Sequence, residues 1–280
     1  MKANQKMARL SYVSALLVLL CSSVSAQTMD RMVTDIEVPL QDPYCDGSYD
    51  AITIDVGNPL SCPSVVVETV PVNVVDWVLL ELRSTAAGDD ANVATDVVAR
   101  KPAFLLSNGR VVDAVRYAEQ VMQDPTLLCA ASGLETTEAT CPDVEFVELE
   151  EAADEDIYLV ARHRNHLDVI SATNITGEAD TNRNADIYSH DFSAGDSALG
   201  ASALKEKDSN IHVLYGGDVN RDGEVNITDY TVGAAGSIGI SAYHAGDTNF
   251  SSIVTPADYS DIIANNLTQS SQVPQSNQAP

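Results

Sequence analysis

The clearest chemistry in the chain lies in one run of oxygen-bearing residues. Asp218, Asn220 and Asp222 alternate, Gly223 follows, and Asn226 and Asp229 complete the run. This matches the pattern D-x-[DN]-x-[DN]-G with an acid at position twelve. A hard cation such as calcium takes roughly six to eight oxygen ligands. Alternate positions can turn three side-chain oxygens towards one point, and Gly223 permits the sharp turn this requires. The carbonyl of Glu224 adds a backbone oxygen, Asn226 contributes directly or through water, and Asp229 closes the shell from the start of a following helix.

The pattern recurs at a constant offset of 29 residues, over Asp247 to Tyr259. Asp247, Asn249, Thr255 and Asp258 keep ligand positions, and the carbonyl of Ile253 stands where that of Glu224 does. Ser251 replaces a carboxylate, and Ser252 takes the place of glycine. A non-glycine residue at positive φ costs on the order of 1 kcal/mol. Two calcium sites of unequal affinity are expected, the first tighter. Tyr230 and Tyr259 follow the last ligand of each copy, and the apolar Val225 and Val254 fill position eight.

Other residues invite chemistry and are better read as structure. On a strand, Arg162, Arg164 and His166 share one face and His163 and Asn165 the other, so the two histidines point apart. A cross-strand network with the many acids is expected there. Trp77, flanked by Val75, Val78 and Leu79, reads as core rather than as a sugar-stacking platform. No nucleophile elbow or HExxH pattern occurs, so the chain is read as non-enzymatic. Asp196-Ser197-Ala198 is a short O-glycosylation-like sequence.

The elements that must hold these residues begin with a leader. Lys2, Lys6 and Arg9 precede an apolar run from Leu10 to Cys21, and Val24-Ser25-Ala26 is a small-residue cleavage site. Residues 1–26 are therefore expected to be a secretory signal peptide. A lipoprotein reading would use Cys21, but Leu20 sits where that processing wants a small residue. The apolar stretch Val65 to Leu82 contains Glu68, Pro71 and Asp76, so no membrane span is expected in the mature chain. Removing the leader takes three of the 15 Lys and Arg and none of the 41 Asp and Glu, moving the formal charge from −26 to −29. Such a field argues against nucleic acid and favours cation binding.

Cys45, Cys62, Cys129 and Cys141 remain after cleavage. An even number in an oxidising compartment suggests two disulfides, with three connectivities open and local pairing, Cys45–Cys62 and Cys129–Cys141, preferred. Zinc is disfavoured, because no CxxC or close Cys/His spacing occurs.

Residues 27–64 read as an arm with one strand, Thr34–Leu40, and a cysteine loop. Residues 65–215 carry short Val- and Ile-rich runs separated by turn signals: Val65–Val67, Val74–Leu82, Val97–Leu106, Val111–Val115, Val144–Leu149, Ile157–Arg162 and Ile211–Tyr215. Ser107-Asn108-Gly109 is a hairpin signal. Roughly 150 residues of this texture suit a mainly β domain, an antiparallel β-sandwich of immunoglobulin-like or jelly-roll kind. A helical turn is expected over Val115–Met122 and a long loop over Glu178–Leu204. Residues 216–268 form the calcium module, and the Ser-, Gln- and Pro-rich end, from Thr268 on, reads as a mobile tail.

Gly217 to Leu267 resembles a type I dockerin: a duplicated calcium loop of EF-hand type, each copy followed by a helix, with no helix leading in. Gly233, Gly236 and Gly239 make the first of those helices short or poor. The basic and Ser/Thr pairs with which cellulosomal dockerins grip cohesins are missing. Val75–Arg83, Leu105–Val112 and Tyr158–Leu167 are similar to a β-domain that precedes dockerin-like repeats in large bacterial surface, adhesin-like and secreted proteins. The two resemblances imply an extracellular or cell-surface role and no catalytic residues.

Three functions follow. The first is an extracellular structural or adhesion subunit that associates with copies of itself, as a filament or surface layer, using Thr34–Leu40 for strand addition. The second is an anchoring module for a cohesin-like scaffold or another surface protein. The third is a carbohydrate-binding sandwich, which 15 aromatic residues in the chain support poorly; glycans remain a further partner class.

Overall fold

The computed structural model describes residues 9–16, 38–45, 64–85, 89–107, 109–123, 147–151, 156–176, 178–180, 185–208 and 211–274. The described part is mainly β and sandwich-like. Nine strands form one curled sheet: β1 (Arg9–Leu16), β2 (Val74–Thr85), β3 (Asp96–Leu106), β4 (Arg110–Val112), β5 (Val147–Glu151), β6 (Asp156–Arg162), β7 (Val169–Ile170), β8 (Glu178–Asp180) and β9 (Ala185–Asp191). Their order is β7-β6-β2-β3-β4-β1-β9-β8, with β5 also paired to β1. Every pairing is antiparallel except β1 with β9. A separate hairpin joins β10 (Lys205–Asp208) to β11 (Ile211–Val213), and one helix, α1, runs Ala114–Gln123.

β2 is buried along its whole length because both faces of the sheet are covered. Trp77 and Leu79, with Phe104 and Leu106 of β3, pack on one side against α1 and against Val219, Val225, Ala245, Val254 and Ile263. Val78, Leu80 and Leu82, with Ala103 and Leu105, pack on the other against Phe192, Ala203, Leu204 and Leu214. A strand covered on both faces reads as a continuous apolar run rather than an alternating one. The loop pair after Gly217 therefore shares a core with the sheet instead of standing off as a separate module. Trp77 is fully buried, and its Nε1 donates to Pro39 O at 2.8 Å.

Several sequence expectations meet the structure directly. The expected hairpin is present as the antiparallel pair β3 and β4, with Gly109 at φ 84° and its N–H bonded to Leu106 O. The helical turn expected near Val115 is α1. The loop expected over Glu178–Leu204 contains β8 and β9, which join the sheet through β1 rather than by hydrophobicity of their own. Arg9–Leu16, inside the expected leader, is a strand of the full chain; a short apolar run meets the needs of either role. The end of the chain is not a free tail through Pro274. Thr268 N and Gln269 O bond Val225, Ser271 Oγ donates to Asp168 O, Val273 is buried, and Pro274 O accepts from Arg83 Nη1. Its polar side chains hide an anchor made largely by backbone. Cys62, Cys129 and Cys141 lie outside the described residues, as do Thr34–Glu37 and residues 275–280.

Candidate metal-binding loops

The two Asp/Asn runs fold into loops of matching geometry. Three residues of each copy take left-handed backbone at the same offset: Arg221 and Phe250 (φ 60° and 58°), Gly223 and Ser252 (85° and 69°), Gly239 and Thr268 (90° and 73°). In the first loop Asp229 Oδ1 accepts from Val219 N (2.8 Å) and Asn220 N (3.2 Å), and its Oδ2 accepts from Asn226 N (2.8 Å). In the second, Asp258 Oδ1 accepts from Asn249 N (3.0 Å) and Oδ2 from Thr255 N (2.7 Å). The last carboxylate thus fastens the start of each loop to its end. Position eight of each copy pairs with the far end of the other: Val225 with Thr268 and Gln269, Val254 with Gly239 and Ile240.

Each loop runs into helical turns. Asp229–Ala234 is wound as a π-helix and Ala235–Ser237 as 3-10, and the glycines at 233, 236 and 239 agree with so irregular a helix. Gly233 also has a packing reason, since a Cβ there would lie 2.3 Å from Val219 Cγ1. In the second copy Thr255 caps Pro256–Asp258 through a reciprocal capping box, and the π-turn Tyr259–Ile263 follows.

The loops differ in what their oxygens do. Asp218 is 3% exposed, its Oδ2 accepts only from Gly223 N (3.2 Å), and its Oδ1 is buried without a partner. Burial, then the charges of Asp168, Asp229 and Asp222, push its pKa up to about 8. Burial also raises that of Asp229, against the N–H bonds it accepts. Asn220, Asp222 and Asn226 stand nearer the surface and make short-range turns, with Asp222 N on Asn220 Oδ1 (3.0 Å) and Glu224 N on Asp222 Oδ1 (3.0 Å).

In the second loop both oxygens of Asp247 are bonded, Oδ1 to Ser251 N (2.8 Å) and Oδ2 to Ser252 N (2.9 Å). Ser251 N also reaches Asn249 Oδ1 (3.1 Å), and the Ser251 hydroxyl donates to Ile253 O (3.0 Å). Burial pushes the Asp247 pKa up to about 6 against the pull of Arg164. Among the described residues, no three His, Cys, Asp or Glu side chains converge as a preformed metal cluster.

Beside the second loop lies a buried polar corner. The strand that carries Arg162 ends there, and residues 163–166 turn, so the two histidines meet instead of pointing apart. His166 Nδ1 donates to Asn165 Oδ1 (2.8 Å) and faces His163 Nδ1 (2.9 Å), while His163 Nε2 donates to Asp76 Oδ2 (3.1 Å). These tautomers follow from the partners. Burial lowers the pKa of His163 and lowers that of His166 well below its ordinary value, the latter helped by His163 and Arg164. Arg164 Nε bonds Asp76 Oδ2 (2.8 Å), and its guanidinium lies over the rings of Tyr243 (4.5 Å) and Phe250 (5.0 Å). Burial alone would raise the Asp76 pKa, but Arg164 and His163 hold it well below the carboxylate range. The expected network with acids is present: Asp76 serves His163 and Arg164, while Glu81 and Asp168 serve Arg162. A carboxylate inside the apolar run Val74–Leu82 was the signal for it.

No family model matches the chain, and no curated protein matches it. Among solved structures, a complex of type II cohesin with X-dockerin from Acetivibrio cellulolyticus is similar at 12% identity and a TM-score of 0.33, over 94% of this chain and 97% of that one. So low a score supports no structural argument.

Proposed function

We propose that this chain is an exported, non-catalytic structural protein that holds calcium on its first loop. The observation that carries the reading is Asp218 Oδ1, a carboxylate oxygen buried with no hydrogen-bond donor. A buried charge without a partner is costly enough that the group either keeps its proton or takes a cation. Asp218, Asn220, Asp222 and Asp229 offer side-chain oxygens, Glu224 its carbonyl, and Asn226 its amide oxygen. This donor set of hard oxygens suits calcium, which would supply the charge that the loop's acids lack. The core shared with the sheet makes the ion a clamp for the whole fold. Equilibrium dialysis of the full chain tests this: calcium uptake that is lost in Asp218→Asn supports it, and no uptake at millimolar calcium rejects it.

The extracellular placement rests on the leader, and the assembly role on the sheet. A leader ending at Ala26 takes β1 with it, which leaves β5 without its pairing strand and opens one edge of β4, still held by β3, and one edge of β9, still held by β8. An unpaired slot of this kind accepts a strand from another copy. The donor is not Val38–Leu40, since Leu40 O already accepts from Val67 N (2.9 Å) and Pro39 O from Trp77. Electron microscopy of the chain starting at Gln27, with calcium and with chelator, distinguishes oligomers from a monomer.

A further inference from the structure

The second loop satisfies itself. Both loops fasten their acids with backbone N–H groups, but the first leaves one buried carboxylate oxygen, Asp218 Oδ1, without a donor, and the second leaves none at the equivalent Asp247. Asp247 accepts two backbone N–H groups, Asn249 Oδ1 accepts a third, and the Asp258 oxygens accept from Asn249 N and Thr255 N. Positions five and seven, which should both ligate, bond one another: the Ser251 hydroxyl donates to Ile253 O. In the first loop position five is Asp222, which when ionised has no proton to give to the Glu224 carbonyl and instead accepts from Asn220 Nδ2 (2.9 Å).

The sheet supplies the rest of the closure. Asn165 Nδ2 donates to Ala245 O (3.2 Å) and Asp247 O (3.0 Å), and Arg164 Nη1 donates to His244 O. Three carbonyls where the chain leads into the loop are thus gripped by two neighbouring side chains of the 163–166 turn. Arg164 also brings a positive charge towards Asp247, and its ion pair with Asp76 holds the guanidinium in place. The hydroxyl proton occupies the position-seven carbonyl and the guanidinium adds positive charge nearby, so an added ion would have to displace the Ser251 bond against that charge.

We propose that the second loop is closed by the protein itself, through Ser251 and the Arg164–Asn165 corner, so that the chain takes up one calcium ion and uses the second loop as a fixed joint to the sheet. This rests on the calcium reading of the first loop for its stoichiometry, but not for the closure.

Two measurements on the full chain test it. Dialysis is expected to find one ion per chain and none in Asp218→Asn; two ions, or one remaining in Asp218→Asn, overturns the proposal. Hydrogen exchange is expected to leave the amides of Asn249, Ser251, Ser252 and Thr255 protected in chelator. Those of Val219, Asn220, Gly223 and Asn226 should exchange at least about tenfold faster once calcium is removed, a difference of about 1.4 kcal/mol. Loss of protection in both loops on chelation overturns the proposal. If no calcium binds at all, the first-loop reading fails, and the second-loop closure is decided by whether its four amides stay protected.

Discussion

The rings of Tyr230 and Tyr259 meet at 4.7 Å, tilted by 49°, and the two residues occupy equivalent places in the two repeats. Contact between equivalent residues places the pair on a local twofold axis. The reciprocal pairing of Val225 with Thr268–Gln269 and of Val254 with Gly239–Ile240 obeys the same axis. The loops therefore brace one another, and each helical turn packs against its counterpart.

That contact has a measurable worth. Tilted aromatic pairs contribute about 0.5–1.5 kcal/mol beyond the area they bury. Tyr230→Ala and Tyr259→Ala should each destabilise the chain, and their double-mutant cycle should show coupling of about 1 kcal/mol. Strictly additive losses in urea melts would show that the rings touch without supporting one another.

Backbone strain separates the copies at position six. Ser252 sits at φ 69° where Gly223 sits at 85°. Ser252→Gly relieves left-handed strain, which outweighs the added freedom of the unfolded chain, and should stabilise by up to about 1 kcal/mol. Gly223→Ala should cost a similar amount for the converse reason. Space is no obstacle there, since a Cβ would meet only Ser271 Cβ at 3.8 Å. Thermal melts in chelator read both, and a lower melting temperature for Ser252→Gly would contradict the account.

The loops were legible in the sequence because their chemistry is local: alternate Asp and Asn, a glycine, and a fixed offset survive in any context. The β2–β3–β4 region was legible for a similar reason, since Leu105-Leu106, a turn and Val111-Val112 specify a hairpin by themselves. What the sequence hid depends on partners distant in the chain. His163 and His166 were expected on opposite strand faces, but β6 stops at Arg162, where its partner β2 begins to be covered by Tyr243 and the second loop. The anchoring of Thr268–Pro274 depends on Val225, Asp168 and Arg83, none of which its own composition reveals.

Acidity should act on the first loop with a definite sign. The folded pKa of Asp218, about 8, lies above its ordinary 3.8. An acid shifted upward stabilises the fold below its unfolded pKa, and that contribution is lost as pH rises through the folded value. In chelator, stability should therefore decline between pH 4 and pH 8, and Asp218→Asn should flatten that decline. With calcium the loss should vanish, and binding near pH 6 should release a proton detectable as buffer-dependent heat in calorimetry. Chelated protein whose stability rises over that range would refute the assignment.

The opposite sign holds at the buried ion cluster on β2. Glu81 Oε1 bonds Arg83 Nε (2.5 Å) and Arg162 Nη2 (3.3 Å), and Oε2 bonds Arg100 Nε (2.6 Å). Burial opposes ionisation, but Arg162, Arg83 and Arg100 together bring the Glu81 pKa down to about 2 from an ordinary 4.5. A depressed acid stabilises the fold above its unfolded pKa, and the contribution disappears as pH falls from 4.5 towards 2. Glu81→Gln leaves Arg83 buried without its counter-charge, and breaking such a pair costs about 3–5 kcal/mol. The loss should reach beyond the sheet, because Arg83 also holds Ala94 O (3.1 Å) and Pro274 O, the latter anchoring the stretch that pairs with Val225 of the first loop. Calcium affinity of Glu81→Gln should therefore fall along with its stability. A variant that melts early yet binds calcium as tightly as the parent would show that the cluster and the first loop are energetically separate.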